Sequence, residues 1–241
     1  MPSFQIVPVP QGRITLEGVE ETIQKLSIHE DSSEFKRGIL PGTLGRSEKG
    51  PIWFKYGVQD EMEYNTLDGT GTTKYLEEYV VAFLGNGFIA ISNTDNETKD
   101  DILSLIKHQF LQDISPETTE FSEEALRKII NDANETLLAY LAPRERSKPE
   151  RVSGKDRDLP GTDFWDDYGD EPLDKIKVNV DGEETEIRVG FDKYGVVVLY
   201  KQSLNLSEQI EALRILAENL FTRLIDPGSY QSTFSDEEED I

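Results

Sequence analysis

The sequence predicts an α+β protein with an antiparallel sheet built from two similar units, each a β-hairpin followed by a helix. Within residues 79–91, two apolar and β-favouring runs flank the pair Asn86-Gly87, which is typical of a tight hairpin. Apolar residues at helical spacing follow this hairpin, and the same order recurs later in the chain. We also expect an additional long amphipathic helix.

The N-terminal elements follow from apolar patterning. Residues 4–9 and 52–58 have the composition of strands, and three apolar residues mark a short helix between them: Val19, Ile23 and Leu26. Residues 68–73 are rich in glycine and threonine but lack the lysine of a phosphate-binding loop, so they predict a flexible turn. The helix after the first hairpin is expected from Ile102, Leu105, Ile106 and Phe110.

The second unit matches the first without a gap when the sequence is shifted so that Val81 falls on Val189 and Gly87 on Gly195. An internal duplication and a chance likeness between two common units both explain this match. The plan of residues 79–111 and 187–221 is loosely similar to the TATA-box-binding-protein fold, whose repeats also run from paired strands into a long helix. The resemblance implies a curved sheet whose open face binds a ligand.

The long helix is predicted over residues 122–141, with Ser122 as its N-cap and Pro143 ending it. The expected organisation has four parts: an N-terminal α+β part over 1–143, a charged linker or excursion over 144–174, a C-terminal meander plus helix over 175–226, and an acidic tail over 227–241.

The chain has no cysteine and two histidines, which excludes disulfides, thiolate zinc sites and cysteine nucleophiles. No serine, histidine and acid form a recognisable triad. We therefore expect no catalytic residue, no metal and no cofactor, and a binding protein rather than an enzyme. A metal-dependent hydrolase is kept as a third hypothesis, because carboxylates cluster in parts of the chain.

The formal net charge is −23, from 48 acidic and 25 basic residues. This charge argues against general attachment to nucleic acid or to an anionic membrane. It fits a solubilised surface, a halophilic protein or a viral protein that mimics nucleic acid. No stretch is long and apolar enough to span a bilayer and no signal peptide is recognisable, so a cytoplasmic location is expected.

The leading functional prediction is a non-enzymatic binding or assembly protein that engages a protein partner, plausibly a basic one, through an acidic and aromatic segment. Its aromatic residues are the expected anchors and its carboxylates the expected steering charges. Replacing the tryptophan is expected to weaken binding and to leave the fold intact. The predicted partner-binding residues are Asp163, Phe164, Trp165, Asp166, Asp167, Tyr168 and Asp170.

A nucleic-acid-associated regulator with a duplicated sheet is the alternative function. Nucleic acid would need a local basic patch, since the chain as a whole repels phosphate. The sequence offers one in the segment that contains Arg144, Arg146, Lys148 and Arg151. The oligomeric state cannot be predicted.

Overall fold

The structure is a computed structural model of the 241-residue chain. It describes residues 1–9, 14–26, 37–47, 50–66, 69–111, 116, 118–142, 152–156, 159–182, 186–200 and 204–222. The predicted acidic tail and the basic residues Arg144, Arg146, Lys148 and Arg151 lie outside these residues.

Eleven strands and five α-helices form the described part of the chain. The strands are β1 (Ser3–Pro8), β2 (Arg37–Ile39), β3 (Gly45–Arg46), β4 (Ile52–Thr66), β5 (Gly69–Gly85), β6 (Phe88–Ser92), β7 (Glu135–Leu141), β8 (Val152–Gly154), β9 (Leu173–Val180), β10 (Ile187–Asp192) and β11 (Val196–Leu199). The helices are α1 (Leu16–Leu26), α2 (Asn96–Phe110), α3 (Glu123–Asp132), α4 (Asp163–Tyr168) and α5 (Leu206–Leu216), with a 3₁₀ turn at Leu159–Gly161 and a π-helical turn at Ala217–Phe221.

All strands belong to one antiparallel sheet in the order β2-β4-β5-β6-β1-β11-β10-β9-β7-β8, and β3 pairs with β4. The predicted α+β class with a large antiparallel sheet is confirmed. The N-terminal strand β1 lies in the centre, where it pairs with β6 on one side and β11 on the other. The N-terminal and C-terminal parts of the chain therefore share one sheet.

Each face of the sheet carries its own apolar core, because side chains alternate between the faces along a strand. Face A is defined by the buried residues Val81, Phe83, Ile89 and Ile91. Face B is defined by the buried residues Ala82, Leu84, Phe88 and Ala90. The sequence of residues 79–84 does not reveal that there are two separate cores, because the side chains on both faces of the central strands are apolar.

The helices divide between the two faces. On face A, α1 contributes Val19 and Ile23, and α2 contributes Ile102 and Ile106. On face B, the apolar core includes residues of α3 and α5: Ala125, Leu126, Ile129, Ile210 and Leu213. The gapless match of the two hairpin-and-helix units predicts that both helices pack on the same side of the sheet. This prediction is wrong, because α2 and α5 lie on opposite faces.

The predicted long helix over 122–141 is also wrong. Ser122 does cap α3, since its hydroxyl accepts a hydrogen bond from the Ala125 amide at 3.1 Å. The helix ends at Asp132, however, and the chain continues as β7, which pairs with β9. The segment Asn131-Asp132-Ala133-Asn134 contains three poor helix formers, and pairing with β9 favours the extended backbone.

Two stretches expected to be irregular belong to regular structure. Residues 69–73, predicted as a flexible turn, form the start of β5, which pairs with β4 up to Thr66 opposite Gly69. The predicted linker or excursion over 144–174 contains β8, the 3₁₀ turn and α4 in its described part. No helix among the described residues is long and apolar enough to cross a membrane.

Candidate functional site

The acidic and aromatic segment singled out from sequence forms the short helix α4. Thr162 caps it, and its side chain accepts a hydrogen bond from the Trp165 amide. The carboxylates Asp163, Asp166, Asp167 and Asp170 are exposed. The aromatic residues Phe164, Trp165 and Tyr168 are half-buried and pack against the core of face B.

Neighbouring elements hold these aromatic rings in place. The ring centroids of Phe164 and Tyr168 lie 5.4 Å apart. Gly154 of β8 lies against the Phe164 ring, because a Cβ added to this glycine would lie 2.3 Å from Phe164 Cδ1. The Arg127 guanidinium of α3 donates hydrogen bonds to the carbonyl oxygens of Gly169, at 2.6 Å, and Glu171, at 3.0 Å. These contacts give the aromatics a packing role, and their role in partner binding stays a prediction.

A second surface has the features of a binding site. Face A carries α1 and α2 over the first half of the sheet, whereas its apolar core contains no residue of β7–β11. Over these five strands the core lies on face B, with Ile176, Val178, Val189, Val197 and Leu199 buried there. The intervening residues point to face A, because side chains alternate. Within the described part of the chain, no helix covers this half of face A.

This uncovered half of face A contains basic residues and tyrosines. Lys175 and Lys177 lie on β9, Arg188 lies on β10, and Lys155 follows β8. Tyr140 of β7 lies directly opposite Lys175, and Tyr200 follows β11. We call the set of Tyr140, Lys155, Lys175, Lys177, Arg188 and Tyr200 the cationic tyrosine face.

Lys177 and Tyr200 form the centre of this face. The Lys177 ammonium lies 4.0 Å from the centroid of the Tyr200 ring. The ring also passes close to Gly190, where a Cβ would lie 2.9 Å from Tyr200 Cε2. Glycine at this position therefore lets the tyrosine lie against the sheet.

The positive charges on this face are close enough to affect one another. Partial burial lowers the pKa of Lys177 below its ordinary value of 10.5, and the charges of Arg188 and Lys155 lower it further. Burial raises the pKa of Tyr200, and the nearby Tyr140 contributes to the same shift. Such mutual repulsion disfavours the charged form of the lysine unless an anion is present.

A chain of hydrogen bonds positions Arg188. Its Nε donates to Asn179 Oδ1 at 3.0 Å, and Asn179 Nδ2 donates to Glu135 Oε2 at 2.7 Å. Asn179 is buried, with 3% of its surface exposed. The guanidinium is thus oriented through an amide and has no direct carboxylate partner among the described residues.

The absence of carboxylate partners distinguishes these four basic residues from most others. Lys155, Lys175, Lys177 and Arg188 form no ion pair within the part of the chain that the structure describes. Elsewhere basic side chains are paired as Lys25–Glu21, Arg37–Glu97, Arg46–Glu20, Lys55–Glu78, Lys74–Glu61, Arg127–Glu123, Lys128–Glu124, Lys193–Asp174 and Arg214–Glu211. In a chain with an excess of carboxylates, a cluster of cations that pair with no described carboxylate indicates an anion site.

The sequence contained a signal for this site that the prediction missed. Lys175 and Lys177 alternate with the apolar Ile176 and Val178, which places both lysines on the same face of one strand. The basic segment predicted from sequence runs from Arg144 to Arg157. Its residue Lys155 lies on this face, whereas Arg144, Arg146, Lys148 and Arg151 lie outside the described residues. Among the described residues, no cluster of three or more histidine, aspartate or glutamate side chains is arranged to hold a metal ion.

No protein-family model matches the chain, and no curated protein is significantly similar to it. The geometry and the charge of the chain itself are therefore the basis for inferring its function.

Proposed function

We propose that this protein is a non-enzymatic binding protein that holds single-stranded nucleic acid on its cationic tyrosine face. The observation that carries the proposal is a group of four cations that form no ion pair among the described residues, on a sheet face that no described helix covers, in a protein with net charge −23. This function belongs to the class predicted from sequence as the alternative, and its proposed site lies on the sheet.

The chemistry of the face suits a single strand. Lys175 and Lys177 are two residues apart on β9, so their Cα atoms are separated by about 7 Å along the strand. Cations in such a row contact successive phosphates, and tyrosine rings provide surfaces on which bases stack. Bases in a duplex are paired and unavailable for stacking, whereas those of a single strand are accessible.

The acidic remainder of the protein restricts where nucleic acid binds. Phosphates are repelled by most of the surface and attracted to the face where positive charges are unpaired. We therefore expect one defined orientation of the strand and a weaker overall affinity than a basic protein with the same contacts would have. Binding also relieves the repulsion between Lys177 and its basic neighbours.

The proposal extends to the origin of the two hairpin-and-helix units and to the location of the protein. The hairpin-and-helix units are proposed to descend from an internal duplication, which is supported by the positive φ of both Gly87 and Gly195 at matching turn positions. A cytoplasmic location is proposed because nucleic acid is accessible there.

Fluorescence anisotropy with a labelled single strand of about 12 nucleotides tests the proposal. The test variant is Lys177→Gln with Arg188→Gln. Its matched control is Lys99→Gln with Lys107→Gln on α2, which removes the same charge away from the face. We expect the test variant to lose roughly tenfold or more in affinity, with the salt slope reduced by about 1.4 for two lost phosphate contacts. The control is expected to bind like the unmodified protein.

Three results would contradict the proposal. Equal losses in both double variants would show that only the overall charge matters. Equal affinity for a polyglutamate chain would show unspecific attraction to anions. Equal or tighter binding of a duplex of the same length would show that base stacking plays no part.

A further inference from the structure

We propose that the protruding hairpin formed by β4 and β5 is a second binding site, which takes a basic and apolar extended segment of a protein partner. We call the hairpin residues 59–66 and 69–76 the β-arm. This site is independent of the proposed nucleic-acid function, because it lies on other strands and has the opposite charge.

No third strand pairs with the β-arm in the described part of the chain. β2 pairs with β4 only at Tyr56, Gly57 and Val58, and β6 pairs with β5 only from Val81 onward. Beyond these positions the two strands pair with each other alone, from Gln59 opposite Leu76 to Thr66 opposite Gly69. A two-stranded hairpin is at best marginally stable in water without further packing.

Large apolar side chains are exposed on the β-arm. The exposed fractions are 53% for Met62, 46% for Tyr64, 39% for Tyr75 and 46% for Leu76. Met62, Tyr64 and Tyr75 share one side of the hairpin, because Met62 pairs with Thr73 and alternation places Tyr64 and Tyr75 on that side too. An exposed apolar surface of this kind marks an interaction site.

The Tyr64 ring lies across the hairpin. A Cβ on Gly71, its partner in the register, would lie 2.7 Å from Tyr64 Cζ. Glycine at this position leaves room for the ring, which covers both strands. The apolar side of the β-arm is therefore an ordered surface of tyrosine and methionine.

Charge identifies the kind of partner. The ammonium groups near the β-arm are already paired, Lys55 with Glu78 at 2.6 Å and Lys74 with Glu61 at 3.6 Å. The remaining carboxylates are Asp60, which accepts a hydrogen bond from the Tyr75 hydroxyl at 3.2 Å, Glu77, which accepts one from the Tyr79 hydroxyl, and Glu63. Asp60 and Glu77 lie on the same side of the hairpin as Met62 and Tyr75, whereas Glu63 lies on the other side. Carboxylates beside an apolar surface attract a partner that is both basic and apolar.

The same charges disfavour the other occupants. Nucleic acid is repelled by the carboxylates, and the β-arm of a second copy would bring two acidic surfaces together. An extended segment suits the site because the outer edges of both strands pair with no other strand among the described residues, and sheet edges accept an added strand.

The probe for this site is a labelled synthetic peptide of about ten residues in which lysine and valine alternate. Tyr75→Ser is the apolar test variant, and Tyr194→Ser is its matched control, since Tyr194 is an exposed tyrosine elsewhere with 58% of its surface exposed. The charge test is Asp60→Asn with Glu77→Gln, matched by Asp166→Asn with Asp167→Asn on α4. We expect each test variant to weaken peptide binding roughly tenfold and each control to leave it unchanged.

The inference fails if the Tyr75 and charge variants bind the peptide as the unmodified protein does, or if a glutamate-valine peptide binds equally well. It also fails if the protein self-associates in sedimentation experiments and Tyr75→Ser abolishes that association, because the occupant is then a second copy. Should Tyr75→Ser disturb the hairpin, the charge variant still decides the result. Two further measurements separate failure of this site from failure of the proposed function. Oligonucleotide binding is measured for the β-arm variants, and peptide binding is measured for the Lys177→Gln, Arg188→Gln variant.

Discussion

The ammonium group of Lys177 lies 4.0 Å from the centroid of the Tyr200 ring, on a sheet face where no described carboxylate pairs with it. A cation against an aromatic ring gains less than a desolvated ion pair and remains available to an anion. The neighbouring charges of Arg188 and Lys155 increase the gain from anion binding. This pair is the centre of the proposed nucleic-acid site.

Binding of a single strand is expected to depend on pH through Lys177. In the free protein its pKa lies below 10.5, and a bound phosphate raises it again, so binding is coupled to proton uptake. Affinity should therefore fall as the pH rises through the lowered pKa. Anisotropy titrations from pH 7 to about pH 10 measure this effect, and Lys177→Arg should flatten the profile because arginine stays charged. An unchanged profile in Lys177→Arg would assign the pH dependence to another group.

Gly190→Ala tests the position of the Tyr200 ring without changing any charge. The added Cβ would lie 2.9 Å from Tyr200 Cε2, so the ring must move. We expect a roughly fivefold or greater weakening of oligonucleotide binding, in line with the loss of one stacking contact. The salt slope should stay as it is, since no phosphate contact is removed. An affinity equal to that of the unmodified protein would place Tyr200 outside the site.

Gly195→Ala is expected to destabilise the fold. Gly195 has a φ of 77°, and a Cβ there would lie 2.0 Å from the carbonyl oxygen of Thr119. Backbone strain and the clash together should cost at least about 2 kcal/mol, or about 4–8 °C in melting temperature for a chain of this size. Gly85→Ala is the matched control, because its φ is 80° and a Cβ there meets nothing within 4 Å. Calorimetry should show the larger loss for Gly195→Ala.

Trp165→Ala is now expected to act on stability. The sequence alone predicted an anchor whose loss would spare the fold, whereas the ring is half-buried against the core of face B. Truncation should cost about 2 kcal/mol of unfolding free energy and leave oligonucleotide binding unchanged. Denaturant unfolding measures the loss, with the exposed Tyr194→Ala as the control. If the free energy of unfolding does not change, the packing role of Trp165 is wrong and its predicted role in partner binding is favoured.

The sequence predicted the strands and turns that local chemistry determines. The hairpin at Asn86-Gly87 is confirmed, with Asn86 at a φ of 52° and Gly87 at 82°. The helix N-caps at Ser122 and Asn205 are also confirmed, and Asn205 forms a capping box with Glu208. These features depend on residues close in sequence, which explains why their pattern suffices.

The missed features depend on contacts between distant residues. Residues 135–141 carry leucines that fit a helix or a strand, and pairing with β9 decides for the strand. The β-arm could not be anticipated because its apolar residues and its charges alternate as in an ordinary strand with one buried face. The cationic tyrosine face combines residues of β7, β9 and β10 with those after β8 and β11, and only the strand order brings these together.

Photocrosslinking of a labelled single strand, followed by mass spectrometry of the attached peptides, tests the central claim most directly. We predict crosslinks to the peptides that contain Tyr140, Lys175, Lys177 and Tyr200, and their loss in the Lys177→Gln, Arg188→Gln variant. Crosslinks confined to α1, α2 or the β-arm, or an unchanged pattern in that variant, would contradict the account.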